Sequence, residues 1–250
     1  MVTPSLTTST SIVTGVSRGF GRAIAVGIAE AGARVVGVAR DARALAELRE
    51  QLGSSFTPVI ADVADDTLAP RVIAEHRPNL VVLNAGATPH PGTLQDQTWE
   101  TFSRNWETDV RHVFSFAKAA LSAPLAFGST VITMSSGAAR NGSPLSGGYA
   151  GAKATIKFVS AYAGSEADRA ELGIRFVSLL PKLTPATELG STFVDAYAEY
   201  SDLDRDAYLH QLGTILTVDG VAAAVIDVAT NAALDADSYL LTAEGLVELA

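Results

Sequence analysis

Tyr149 and Lys153 stand four residues apart, and Ser136 precedes Tyr149 by thirteen. On a helix, a spacing of four puts two side chains on one face. A tyrosine exchanges protons poorly near neutrality, because its ordinary pKa is about 10. An ammonium close by favours the phenolate, by roughly 1–3 units for a near opposite charge. A Tyr–Lys pair so placed can trade a proton with an alcohol or carbonyl oxygen. Ser136 closes the run Val131-Ile132-Thr133-Met134-Ser135, and its hydroxyl can hold that same oxygen and stabilise charge developing on it. Tyr-x-x-x-Lys alone is common on helices, so the pair acquires meaning only from its setting.

Part of that setting is Thr14-Gly15-Val16-Ser17-Arg18-Gly19-Phe20-Gly21. It follows the apolar pair Ile12-Val13 and opens an Ala-rich, helix-period stretch. Three glycines between a strand and a helix make a turn whose backbone can approach a pyrophosphate, with the positive end of the helix aimed at the anion. The strand–turn–helix context is the one such a motif requires.

The elements that must position these residues alternate along the chain. Short β-branched runs are predicted as strands at 11–14, 34–39, 56–61, 80–84, 130–135, 175–180 and 238–242. Helices are predicted at 18–31, 41–52, 65–76, 98–121, 149–171 and 218–231. Runs such as Val35-Val36-Gly37-Val38 and Leu80-Val81-Val82-Leu83 are apolar on both faces, as expected where helices cover both sides of a parallel sheet. The pattern reads as an α/β, Rossmann-like doubly wound sheet of about seven strands, in one domain over residues 1–250. Residues 183–216 break the rhythm: they lack a strand but hold Phe193, Tyr197, Tyr200, Leu203 and Tyr208. They follow the sixth strand, on the ligand-binding side of such sheets, and are expected to form a substrate lid.

Composition narrows the function further. The chain has 250 residues, 48% of them hydrophobic, a formal net charge of −9 and no cysteine. The acidic balance argues against an extended nucleic-acid surface. Without cysteine there is no disulfide framework, thiol catalyst or thiolate metal site. Residues 1–9 lack the pattern of a signal peptide, and no apolar run reaches membrane-spanning length, so a cytoplasmic protein is expected. His76, His90, His112 and His210 form no metal-ligand pattern. Asp202, Asp204 and Asp206 begin like a calcium loop, but Ala207 replaces its glycine and Gly213 stands where its bidentate glutamate belongs. No metal site is expected.

Together these motifs resemble the short-chain dehydrogenase/reductase family, in its single-domain group of about 250 residues. The residues carrying the resemblance are 14–21, Asp62-Val63, Asn84-Ala85-Gly86, Ser136, and Tyr149-Ala150-Gly151-Ala152-Lys153. The family places its serine thirteen residues before its tyrosine, which selects Ser136 over Ser135. The likeness is strong over residues 9–182. It implies hydride transfer between a nicotinamide cofactor and a carbonyl or secondary alcohol, with Tyr149 as proton donor or acceptor, Ser136 orienting the substrate oxygen and Lys153 on the nicotinamide ribose. It also implies that Asp62 meets the adenine amino group, with Val63 beside the ring. Asn84, Ala85, Gly86, Pro181 and Thr184 would line the cofactor, beside the loop residues Gly15, Ser17, Arg18, Gly19, Phe20 and Gly21. A homodimer or homotetramer is expected, through the helices at 98–121 and 149–171.

The cofactor's identity follows from charge. A carboxylate at the end of the second strand would bind the 2′-hydroxyl of NAD and repel a 2′-phosphate. Here Ala39 stands there, followed by Arg40, and Arg18 can reach the same place. Two guanidiniums that can fork onto phosphate oxygens select NADP(H), while Asp41 is expected to cap the next helix. The expected activity is therefore an NADP(H)-dependent carbonyl reductase or alcohol dehydrogenase acting on a largely apolar small molecule. Alternatives are a non-catalytic NADP-binding sensor or scaffold, and a reductase of imines or other non-carbonyl groups.

Three departures from the family pattern stand out. Asp109 takes the position of the asparagine that completes a catalytic tetrad. Lys182 replaces the glycine after Pro181, where it would touch cofactor phosphates or an acidic substrate, or face solvent; Thr184 and Thr187 both follow as cofactor-contacting candidates. The stretch 241–246 lacks the family's Gly-Gly.

Overall fold

A computed structural model describes residues 6–249; residues 1–5, part of the polar N-terminal stretch, and residue 250 lie outside them. One eight-stranded sheet runs through the described residues in the order β3-β2-β1-β4-β5-β6-β7-β8. Its strands are β1 (Thr10–Thr14), β2 (Arg34–Ala39), β3 (Phe56–Ile60), β4 (Leu80–Leu83), β5 (Thr130–Met134), β6 (Arg175–Pro181), β7 (Ser238–Thr242) and β8 (Gly245–Glu248). Pairing is parallel as far as β7. The seven predicted strands are present. The eighth is an antiparallel edge strand that returns on β7, with Thr242 opposite Gly245. Four residues with mixed burial carry too little periodicity to be read as a strand beforehand.

Alternation along the central strands sends one residue to each face. Val13, Val35, Leu80 and Val82 pack with Ile24 and Ile28 of α1 (Gly19–Glu30), Leu45 and Leu48 of α2 (Ala42–Leu52) and Val221 and Val225 of α10 (Val218–Thr230). Ile12, Val36, Val81 and Leu83 pack on the other face with Val72 of α3 (Leu68–His76), Phe116 of α5 (Arg111–Ser122) and Ile156 of α7 (Gly147–Arg169). Each such side chain taken out of water contributes about 1.5–3 kcal/mol. Asp41 caps α2, its carboxylate accepting from the backbone N–H of Arg43 and Ala44 at 3.0 and 3.1 Å.

Connections from β1 run first to one edge and then, at β4, to the other. The strand ends therefore diverge between β1 and β4, and the crevice beyond their carboxyl ends is where ligands bind in such sheets. The predicted helix at 98–121 is divided into α4 (Trp99–Asn105), a π-helical turn (Trp106–Val110) and α5. A short α6 (Ala138–Asn141) follows β5, and residues 183–216 hold a helical hairpin of α8 (Glu188–Tyr200) and α9 (Arg205–Leu212). Among the described residues no helix is long and apolar enough to cross a membrane.

Gly37 in β2 shows how tightly one layer is filled. A Cβ there would lie 2.3 Å from the ring of Phe56, which is fully buried. Gly37→Ala must push that ring aside, and is expected to lower unfolding stability by about 1–3 kcal/mol, measured as a shift in urea midpoint.

Candidate active site

A large cleft of about 1310 Å³ opens beyond the carboxyl ends of the strands. At one end lies the glycine loop. Gly15 has φ +73° and Gly19 φ +55°, and a Cβ on Gly21 would fall 2.2 Å from the Gly15 carbonyl oxygen. No other residue fits Gly21, and the bare backbone beside Ser17, Arg18 and Phe20 fits the cradle a pyrophosphate needs. The turn is bolted to β4 by residues outside the motif's glycines. The Asn84 amide donates to the Thr14 carbonyl at 3.1 Å, and Thr14 Oγ1 accepts from the N–H of Asn84 and Ala85 at 3.0 and 3.1 Å. Asn84 thus ties neighbouring strands and lines the cleft together with Ala85 and Gly86.

At the end of β2 the cleft is lined by Ala39, Arg40, Asp62 and Val63. Asp62 accepts from the Ala64 N–H at 2.9 Å, turning the chain, and also faces Arg40 at 3.9 Å. Arg18 pairs across the cleft with Glu188, the first residue of α8. Both guanidiniums are largely exposed and already face carboxylates, which their sequence neighbourhoods did not suggest.

The other end holds Ser136, Tyr149 and Lys153. Ser136 follows β5; its Oγ accepts from the Ala138 N–H at 3.2 Å, leaving its own proton to donate. Its neighbour Ser135 is buried and donates to the Lys153 carbonyl at 2.7 Å. The Lys153 ammonium in turn donates to the Met134 carbonyl at 3.1 Å. These two bonds lock α7 onto the end of β5, and Tyr149 and Ser136 line the same cleft. Lys153 Nζ lies 5.4 Å from the centre of the Tyr149 ring.

Asp109 completes the arrangement. The π turn carries it into the interior, where it is 1% exposed and its Oδ2 lies 3.2 Å from Lys153 Nζ. Inserted turns of this kind often mark functional positions. Its Oδ1 accepts from the Ala87 N–H at 2.7 Å. Asn105, one turn earlier, donates to the Ala87 carbonyl at 2.7 Å and to both carboxylate oxygens at 3.4 Å. Gly86 is needed here, since a Cβ would stand 2.7 Å from Asp109 Oδ2. Burial opposes the Lys153 charge, but the Asp109 carboxylate, with Tyr149 and the hydrogen bond to Asp109, outweighs it and holds the ammonium above the ordinary lysine value.

Between the two ends, Pro181 and Lys182 follow β6, with the Lys182 side chain exposed at the cleft. It helps hold Glu244 below the ordinary carboxylate range, an effect owed first to hydrogen bonding by Thr242. Thr184 turns its hydroxyl inward, donating to the Leu216 carbonyl at 2.5 Å. Thr187 lies nearer the glycine loop, 3.4 Å from where a Gly19 Cβ would stand, and caps α8 by accepting from the Gly190 N–H. Phe193, Tyr197, Tyr200 and Tyr208 of the hairpin line the cleft. Tyr197 bonds Ser143, and Ser146 sits 3.3 Å from its hydroxyl. Burial raises the Tyr208 phenol.

Residues 9–197 match the family described as short chain dehydrogenase. The chain belongs to that family. It is a nicotinamide-dependent oxidoreductase of carbonyl and alcohol groups. Over 204 residues it is 29% identical to the NADPH-dependent pterin aldehyde reductase of Arabidopsis thaliana, covering 78% of this chain and 83% of that one. It is 31% identical over 161 residues to the 3-oxoacyl-[acyl-carrier-protein] reductase FabG of Escherichia coli, covering 58% of this chain and 62% of the relative. The crystal structure of a 3-ketoacyl-(acyl-carrier-protein) reductase from Brucella melitensis complexed with NADH shares the fold. Its TM-score is 0.79, across 96% of this chain and 98% of that one, at 21% identity.

His112, one turn beyond Asp109, is fully buried against Phe116. Burial, and then the Lys153 charge, lower its pKa from 6.5 to about 3. The unfolded chain takes up a proton at this residue as pH falls through 6.5, while the folded chain stays neutral until about 3. Stability is therefore lost on acidification across that window, by about 2 kcal/mol between pH 7 and 5. His112→Leu is expected to remove that part of the acid sensitivity, read from urea midpoints at the two pH values.

Proposed function

We propose that the protein is an NADP(H)-dependent reductase of a largely apolar ketone or aldehyde, running also in the alcohol-oxidising direction. The observation that carries this reading is the convergence of Ser136, Tyr149, Lys153 and Asp109 in one cleft with a glycine cradle. The bound nicotinamide supplies or accepts the hydride. Tyr149 donates its phenolic proton to the carbonyl oxygen, and the Ser136 hydroxyl holds that oxygen as charge develops on it. Lys153 orients the nicotinamide ribose and stabilises the phenolate left behind. Asp109 acts through Lys153, keeping its ammonium charged and aimed, and so is a positioning residue.

The glycine loop, Gly15 to Gly21, takes the pyrophosphate. Asp62 and Val63 hold the adenine, and Asn84, Ala85, Gly86 and Pro181 the remainder of the cofactor. Thr187 is better placed than Thr184 to touch it. Arg18 and Arg40 receive the 2′-phosphate by exchanging their carboxylate partners, Glu188 and Asp62, for a doubly charged anion. The NADPH dependence named for the Arabidopsis relative supports that choice. The hairpin at 183–216 serves as substrate lid, and the cysteine-free chain suits a reducing cytoplasm.

Tyr149→Phe is expected to cut turnover at least a hundredfold while leaving the fluorescence titration with NADPH unchanged and tighter than that with NADH. Loss of binding along with turnover would reassign Tyr149 to the fold.

Large apolar side chains remain uncovered on the outer helices: Phe114 of α5 is 54% exposed, and Phe158 and Tyr162 of α7 are 66% and 59% exposed. The last two stack at 6.1 Å, and α5 and α7 pack side by side. A second copy covers this face in a homodimer or homotetramer. Light scattering should return a multiple of the 25.9 kDa chain mass, and a monomer at micromolar concentration would remove this assignment.

A further inference from the structure

Phe193, Tyr197 and Tyr208 form a continuous aromatic wall along the cleft. The Phe193 and Tyr197 rings lie 5.7 Å apart, tilted by 45°, and the Tyr197 and Tyr208 rings 6.3 Å apart, within 23° of parallel. Phe193 is 5% exposed, and Tyr197 and Tyr208 are half-buried. The wall is held in place against the catalytic helix. Tyr197 bonds Ser143, which accepts from Ser146 at 2.7 Å, and Ser146 is the residue immediately before α7. Tyr149 is the third residue of that helix. The plane of the stack is thus fixed within one helical turn of the proton donor.

Tyr208 differs from Tyr197 in one respect. Among the described residues its hydroxyl forms no hydrogen bond, although it belongs to a residue lining the cleft. A half-buried phenol seeks a partner. An aliphatic substrate would leave both the ring face and this hydroxyl unused, and a site with an unpaired polar group discriminates against a ligand that cannot satisfy it.

We infer that the substrate carries a flat aromatic ring with a polar group at its far edge, stacked beside Tyr208 with its carbonyl at Tyr149 and Ser136. This deepens the carbonyl-reductase reading above and rests on it. Ring-on-ring packing fixes the plane of the substrate, and the Tyr208 hydroxyl fixes how far it slides along the cleft.

The test compares 2-naphthaldehyde with its fully saturated decalin counterpart, using NADPH and the full chain. The wild type should favour the aromatic aldehyde at least tenfold in kcat/KM. Tyr208→Leu should raise KM for it about tenfold and move the saturated aldehyde less than twofold. Tyr208→Phe, which keeps the ring, should retain that preference but lose about fivefold on 6-hydroxy-2-naphthaldehyde alone. Equal rates on the aromatic and saturated aldehydes would overturn the inference, as would a loss common to both in Tyr208→Leu. Calorimetry of 2-naphthylmethanol and its decalin analogue on the cofactor-free chain needs no turnover. If neither aldehyde is reduced yet the naphthyl alcohol binds at least tenfold tighter, the reductase reading falls and the aromatic wall stands. Equal binding of the two alcohols removes the wall.

Discussion

Lys153 carries its ammonium at 5% exposure, where an uncompensated charge costs several kcal/mol. It stays charged because Asp109 stands 3.2 Å away, itself 1% exposed. That pair constrains much of what surrounds it. The π turn between α4 and α5 is needed to bring the carboxylate inside. Gly86 must lack a side chain to make room, and Ala87 and Asn105 satisfy the carboxylate oxygens. Ser135 and the Met134 carbonyl hold α7 so that the ammonium sits beside Tyr149. Removing one member of such a pair typically costs about 3–5 kcal/mol, since the other is left buried and alone. His112 lies within reach of the same charge and is held neutral by burial and by Lys153.

The direct carboxylate also sets the electrostatics around Lys153. An asparagine at this position would leave the ammonium uncompensated from that side. Asp109 keeps Lys153 protonated in spite of its burial. Along the cleft the same economy of charge recurs at lower stakes. Arg18 meets Glu188 and Arg40 meets Asp62, both at the surface, where water screens the pairs and the exchange of one anion for another is cheap. The buried pair is a fixed part of the structure, and the exposed pairs are replaceable partners.

The hairpin of α8 and α9 joins the two ends of the cleft. Its first helix touches the glycine loop through Thr187 and Glu188, and its Tyr197 touches the loop before Tyr149 through Ser143. A single hairpin therefore spans the glycine loop and the Tyr149 end of the cleft, so that its aromatic wall is placed by contacts at both extremities.

Much of this was legible in the chain itself. Period-two apolar runs and helix-period stretches specify a doubly wound sheet because side-chain direction follows backbone geometry residue by residue. The glycine loop and the Tyr149–Lys153 spacing are local for the same reason. β8 escaped because four half-exposed residues form a strand only once β7 offers its edge. The π turn escaped because its register depends on packing between α4, α5 and α7, and so did the part Asn105 plays. Nor did the chain reveal that Thr184 spends its hydroxyl on Leu216, or that Glu188 meets Arg18 from 170 residues away. Local order determines elements and the faces they present, whereas the partner of a charge or hydroxyl is set by whatever the folded chain brings within a few ångströms, and only the tertiary structure decides that.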